Sequence, residues 1–372
     1  MIKILIVIIL VFASTFLGII IGHYETFPYD ILKQTKIILT NKNLDNESMN
    51  AQLYESDIDS LIGISTDKDI SEKRTSLIEY IWKTKELPSD SDLLFEKEII
   101  DSKYEHLKNL QNIDKLTISM EKDVNSISYL FHSKISNGNL IIYHQGHGGD
   151  FIRGISTIQI FLNEGYDVLA FTLPLLGMNN QPIVDVPNFG KIKLTTHNHL
   201  KLLESDDFSP IAYFLEPITI SLNYIDENFD YKSYSILGIS TGGWTATLYS
   251  ALDERISDSF SIAGSYPIYL RSDPKNFGDY EQTVPELYAI SNYLELYIMS
   301  SYGENRKHIQ FFNKNDPCCF SGNSFISYEE PVKNKISQLK NGNFQIYLDE
   351  THNEHKISKY VTDKILEQLI TD

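Results

Sequence analysis

From residue 139 onward, short apolar runs alternate with longer stretches in which apolar residues recur every three to four positions. Residues 139–143, 166–171, 233–237, 259–263, 309–312 and 344–348 are short and rich in Ile, Leu, Val, Phe and Tyr, as strands require. Between and after them, residues 151–164, 210–228, 241–252, 332–339 and 356–370 carry helical spacing, the first closed by Gly165. Strands that alternate with helices predict a mostly parallel central sheet with helices on both faces. Upstream, residues 116–131 alternate around Lys122-Asp123 and predict two antiparallel strands entering that sheet. Residues 75–82 predict a helix that stops before Leu87-Pro88, and the charged stretch 90–112 reads as helix or loop.

Two stretches interrupt the alternation. Residues 176–209 contain Gly177, Asn179, Asn180, Pro182, Pro187, His197 and His199. Residues 271–307 are rich in tyrosine. Both read as insertions that form either a cap over a site or ordinary surface excursions. In a parallel sheet the site is expected beyond the carboxyl ends of the strands.

The N-terminus has a different pattern. Residues 4–21 carry no charge and, as a helix, would rise about 27 Å, close to the thickness of a bilayer core. Lys3 precedes this run, and Glu25 and Asp30 follow it. This predicts a cytoplasmic N-terminus and a domain facing outward, at the periplasm or cell surface. Secretion after signal cleavage is the alternative. The organisation is therefore read as an anchor or signal over 1–22, a linker and helical extension over 23–114, and an α/β domain over 115–372.

The chain has 372 residues, 42% of them apolar, which is enough for one large core. A net charge of -18 argues against nucleic acid as a partner. The two cysteines, Cys318 and Cys319, are adjacent; they exclude a disulfide framework and read as free thiols, a vicinal disulfide being the other option.

The candidate chemistry centres on Gly238-Ile239-Ser240-Thr241-Gly242, which joins a predicted strand to a predicted helix. Such a turn is tight enough to strain the serine and to require small residues, here Gly238 and Gly242, two positions to either side. A serine hydroxyl needs a base, and the base an orienting acid. Asp316 follows the strand 309–312 and Asn313-Lys314-Asn315. His355, just before the last helix, has the better reach for the base; His352 is the second choice. The loop His144-Gln145-Gly146-His147-Gly148-Gly149-Asp150 suits an oxyanion loop. Gly146 and Gly148 allow close approach, the amides of His147 and Thr241 act as donors, and Asp150 caps the next helix. His144, His147 and Asp150 could instead hold a metal, but nothing completes such a site unless His197 and His199 fold over it. No metal or other cofactor is expected for the serine chemistry.

Taken together, these residues make the chain resemble the α/β-hydrolase superfamily, in particular its dienelactone-hydrolase-like and esterase branches, over residues 115–372. The resemblance implies a serine hydrolase that cleaves a carboxylic ester of a small-molecule or acylated substrate through an acyl-enzyme. It departs from the usual pattern at Gln145-Gly146, where His-Gly is common. A peptidase of the same fold and a non-catalytic, membrane-tethered binding protein remain as alternatives. The sequence gives no oligomeric state.

Overall fold

The computed structural model describes residues 57–89 and 92–370, together with Ser14. The apolar run over residues 4–21, read as a membrane anchor, otherwise lies outside the described residues. Among the described residues no helix is long and apolar enough to cross a membrane. The described residues from Asp57 onward form one compact unit.

The strands are β1 (Asp92–Glu96), β2 (Leu110–Ser119), β3 (Asn125–Ser133), β4 (Asn139–His144), β5 (Asp167–Phe171), β6 (Ile183–Val186), β7 (Gly190–Lys193), β8 (Ser233–Ile239), β9 (Ile256–Ile262), β10 (Lys307–Asn313) and β11 (Asn343–Asp349). The helices are α1 (Asp67–Trp82), α2 (Ile155–Asn163), α3 (His197–Leu200), α4 (Ala212–Asn228), α5 (Thr241–Leu252), α6 (Pro285–Ile290), α7 (Tyr293–Ser301), α8 (Ile326–Leu339) and α9 (Lys359–Ile370). The main sheet runs β1-β2-β3-β5-β4-β8-β9-β10-β11. β1, β2 and β3 pair antiparallel, and β3 joins β5 antiparallel. From β5 to β11 every pairing is parallel.

Period-2 alternation divides the strands between two cores. Leu140 and Ile142 of β4 face one, whereas Ile141 and Tyr143 face the other. The first core is covered by α1, α4, α5, α7 and α8; the second by α2 and α9. Helix α5 is buried at every position, which is why its sequence is apolar or small on all sides.

The sheet begins earlier than the boundary at residue 115. β1 forms within the stretch expected to be helix or loop. Its inward residues, Leu93 and Phe95, pack on the first core, and Phe95 lies 4.5 Å from the Tyr224 ring. The strand is short and flanked by charge, so its alternation is faint in the sequence. Helix α1 starts at Asp67 through a capping box between Thr66 and Asp69 and buries Ile70, Leu77, Ile78 and Ile81. It is therefore part of the domain. In the second insertion α7 is wholly buried, so that part of residues 271–307 is core rather than cap.

Candidate active site

The strand order reverses direction between β4 and β8, which opens a crevice at their carboxyl ends. Ser240 stands there, between β8 and α5, with φ 57° and ψ −132°, a backbone conformation that is costly for any residue with a side chain. Its N–H donates to Ile262 O (2.9 Å), and its carbonyl accepts from Gly243 N and Trp244 N. About 9% of its surface remains exposed.

The neighbouring glycines permit this turn. A Cβ on Gly238 would lie 2.2 Å from Gly242 O, and one on Gly242 would lie 2.2 Å from His144 O. Gly146 is pressed against the serine itself: its Cβ would lie 2.5 Å from Ile239 O and 2.7 Å from Ser240 Cβ. The loop after β4 thus abuts the nucleophile candidate. Asp150 caps the turn ahead of α2 by accepting from Ile152 N.

Asp316 and His355 meet. His355 Nδ1 lies 2.7 Å from Asp316 Oδ2, and the acid's side chain is fully buried. Asp316 also accepts from Cys318 N (2.8 Å) and Asn313 Nδ2 (3.1 Å). His352 lies elsewhere, with Nε2 3.2 Å from Asp349 Oδ2 and Nδ1 accepting from Glu354 N. Ser240 Oγ enters no hydrogen bond among the described residues, so the serine–histidine contact is not closed in this structure. Catalytic hydrogen bonds are often long without substrate.

Cys318 and Cys319 are joined as a disulfide, which corrects the reading as free thiols. The turn after Asp316-Pro317 brings the adjacent sulfurs to one side. Both lie with a His355 ring nitrogen inside a span of 4.8 Å.

The grouping His144, His147 and Asp150 does not form. His144 is buried, its Nδ1 lies 3.0 Å from Gln145 O, and burial pushes its pKa down to about 4. His147 turns the other way. Its Nδ1 lies 2.9 Å from Thr241 Oγ1, and its Nε2 lies 3.0 Å from His197 Nδ1 and 2.8 Å from Asp279 Oδ2. His197 Nδ1 is also 3.3 Å from Glu281 Oε2. Burial opposes protonation of His197, but Glu281, the Pro174 carbonyl and Asp279 together outweigh it and raise the pKa above the ordinary value. Both insertions therefore reach the loop beside Ser240. Gln282 reaches it as well: Arg271 Nη1 donates to its Oε1 (3.0 Å), which aims Nε2 at Thr241 Oγ1 (3.4 Å). Sequence reasoning singled out His197 but missed Asp279, Glu281 and Gln282. Two acids one residue apart in a tyrosine-rich insertion were the available signal.

No protein-family model matches the chain, and no curated protein matches it. Among solved structures it is similar to acetyl xylan esterase 1 from Thermoanaerobacterium sp. JW/SL YS485, with TM-score 0.54 and 11% identity over 84% of this chain and 97% of that one. It is also similar to an acetyl xylan esterase from Paenibacillus sp. R4, with TM-score 0.51 and 12% identity over 84% and 98%. A methylesterase aligns with TM-score 0.52 and 12% identity over 82% of this chain and 62% of its own length. The chain has the α/β-hydrolase fold.

Proposed function

We propose that the chain is a serine hydrolase that cleaves a carboxylic ester through an acyl-enzyme. The observation that carries this reading is the strained Ser240 pressed against Gly146 at the strand-order reversal. The Asp316–His355 pair supports it. Ser240 Oγ attacks the carbonyl carbon while His355 Nε2 takes the hydroxyl proton. Asp316 holds Nδ1–H and stabilises the imidazolium. The amides of Thr241 and His147 donate to the developing oxyanion, aided by the N-terminus of α5. Collapse of the tetrahedral intermediate expels the alcohol, which takes the proton from His355. Water then attacks the acyl-enzyme with His355 as base, releasing the acid and free Ser240.

Two of the fold neighbours are acetyl xylan esterases by name, which makes a short acyl group the natural first probe. Ser240→Ala should abolish hydrolysis of p-nitrophenyl acetate and labelling by a fluorophosphonate, with the far-UV circular dichroism unchanged. Retained turnover in that variant removes the mechanism.

The run over residues 4–21 supports anchoring in a membrane, with the domain outside the cytoplasm. The full chain should then stay in the membrane pellet through alkaline carbonate extraction; release into the supernatant contradicts anchoring.

A further inference from the structure

Four side chains converge beside the oxyanion loop. They come from three separate segments: His147 from the loop after β4, His197 from the first insertion, and Asp279 and Glu281 from the second. One donor atom from each lies within 4.8 Å of every other. The measured pairs are 3.0 Å for His147 Nε2 to His197 Nδ1, 2.8 Å for His147 Nε2 to Asp279 Oδ2, and 3.3 Å for His197 Nδ1 to Glu281 Oε2. A tetrahedron with bonds of about 2.0–2.1 Å has edges of about 3.3 Å, so the three measured pairs lie within about 0.5 Å of that length, and the remaining pairs, all inside 4.8 Å, have to close by about 1.5 Å at most.

The chemistry of the donors points the same way. Glu281 is fully buried, and neither carboxylate oxygen has a hydrogen-bond partner. A buried carboxylate whose one charge neighbour is an imidazole favours a further cation beside it. No Lys or Arg is paired with it among the described residues; its ion-pair neighbour is His197. His197 Nε2 lies 3.1 Å from Pro174 O, a contact that requires the proton on Nε2, so a metal ion that displaces any Nδ1 proton meets the Nδ1 lone pair aimed at the cluster. His147 Nδ1 faces the Thr241 hydroxyl, which can accept a hydrogen bond from Nδ1–H and so leave the Nε2 lone pair aimed inward as well. An imidazole fixed through its far nitrogen by a carbonyl or hydroxyl is the usual support of a metal-bound histidine. Two imidazole and two carboxylate donors in a tetrahedral arrangement suit zinc, whereas magnesium and calcium prefer all-oxygen sites of higher coordination number.

We propose that His147, His197, Asp279 and Glu281 bind one zinc ion as a structural clip. Four protein ligands leave no position for a reacting water, which separates this site from a hydrolytic metal centre. Asp279 and His147 are partly exposed, giving the ion a path in from solvent. The clip fastens both insertions to the loop that supplies His147. In the reading of the site as an esterase, the clip also steadies the His147 amide, and that consequence rests on the reading. Zinc binding itself does not.

The test uses the tag-free chain in detergent, stripped with a chelator and then re-equilibrated with zinc chloride. Metal content after desalting, the melting midpoint and fluorophosphonate labelling are read in parallel. One zinc per chain and a melting midpoint that rises with zinc are expected. Cobalt in place of zinc should give the intense visible absorption of a tetrahedral site. Asp279→Asn and His197→Asn should weaken binding by roughly 10- to 100-fold or more. Asp279 is half exposed, so its variant is the one expected to keep the fold. A folded wild-type chain that retains no zinc, or variants that bind zinc as tightly as wild type, overturns the proposal. Binding and melting need no substrate, so an unreactive Ser240 would sink the esterase reading and leave the zinc clip standing.

Discussion

Two glycines in one loop should respond very differently to a single methyl group. Neither Gly146 nor Gly148 sits in the left-handed region, so alanine is allowed at both by backbone angle and space alone decides. At Gly146 the new Cβ would lie 2.5 Å from Ile239 O and 2.7 Å from Ser240 Cβ. Ordinary contacts are about 3.5–4.0 Å, so the loop must retreat from the elbow by roughly 1 Å. The elbow cannot yield instead, because Ser240 N is bonded to β9 through Ile262 O. A displacement of about 1 Å at a reacting centre costs on the order of 100-fold in rate. Overpacking adds about 1–3 kcal/mol of destabilisation. At Gly148 the nearest atoms are Gln145 Nε2 at 3.1 Å and Arg153 Cδ at 3.2 Å, both on side chains: Arg153 is exposed and can swing away, and the buried Gln145, bonded to Tyr143, has to give by only a few tenths of an ångström. Gly148→Ala should therefore stay within about 0.5 kcal/mol of wild type and keep its activity. The assays are p-nitrophenyl acetate hydrolysis, the rate of fluorophosphonate labelling at Ser240, and urea denaturation. Equal activity in the two variants, or a Gly146→Ala enzyme as fast as wild type, would show that this loop does not set the oxyanion geometry.

The remaining predictions concern the base and a buried acid. His355→Ala should lower turnover by about 10⁴-fold or more, whereas His352→Ala, whose ring faces Asp349 rather than Asp316, should stay within about threefold in the same assay; the reverse ranking would reassign the base. Burial on α4 pushes the Glu216 carboxyl up from 4.5 to about 7, only partly offset by the nearby Trp82 indole. A raised carboxylate pKa destabilises the folded chain as pH climbs from about 4.5 to 7, by roughly 3 kcal/mol at most. Glu216→Gln should thus raise the urea midpoint at pH 8 and change it little at pH 4.5; an equal effect at both pH values would contradict this.

The parallel half of the sheet was legible because its strands are short apolar runs, most of them followed by a stretch with helical spacing. The elbow was legible because its glycines are forced: a Cβ at Gly238 or Gly242 would lie 2.2 Å from a backbone oxygen. β1 was not, since its five residues carry a charge at each end. α7 was not, because a helix buried on every side has no polar face to give it a period. The pairing of His355 with Asp316 could be guessed from chain order, as both follow strands at the same sheet edge. The meeting of His147 with His197, Asp279 and Glu281 could not. It depends on where two insertions fold, and no local periodicity encodes that.

The two halves of the site differ in how firmly they are held, and this bears on the open serine–histidine contact. Ser240 and Gly146 are fixed by backbone: the serine amide and carbonyl are both bonded, and the glycine rests on the Ile239 carbonyl. His355 stands on the loop between β11 and α9, a segment tied down through a few polar contacts. Asn313 Nδ2 reaches Asp316 Oδ2, Glu354 O and Lys356 O, so the acid and the segment that carries the histidine are bonded to the same amide. Asn313 belongs to β10, and both it and the Asp316 side chain are fully buried, so the 2.7 Å pair ties the His355 ring to the sheet. In the proposed mechanism, the serine–histidine contact therefore closes through the loop that carries His355, with Asp316 and Asn313 in place. In that mechanism His355 keeps its orienting acid while the contact with Ser240 shortens on substrate binding.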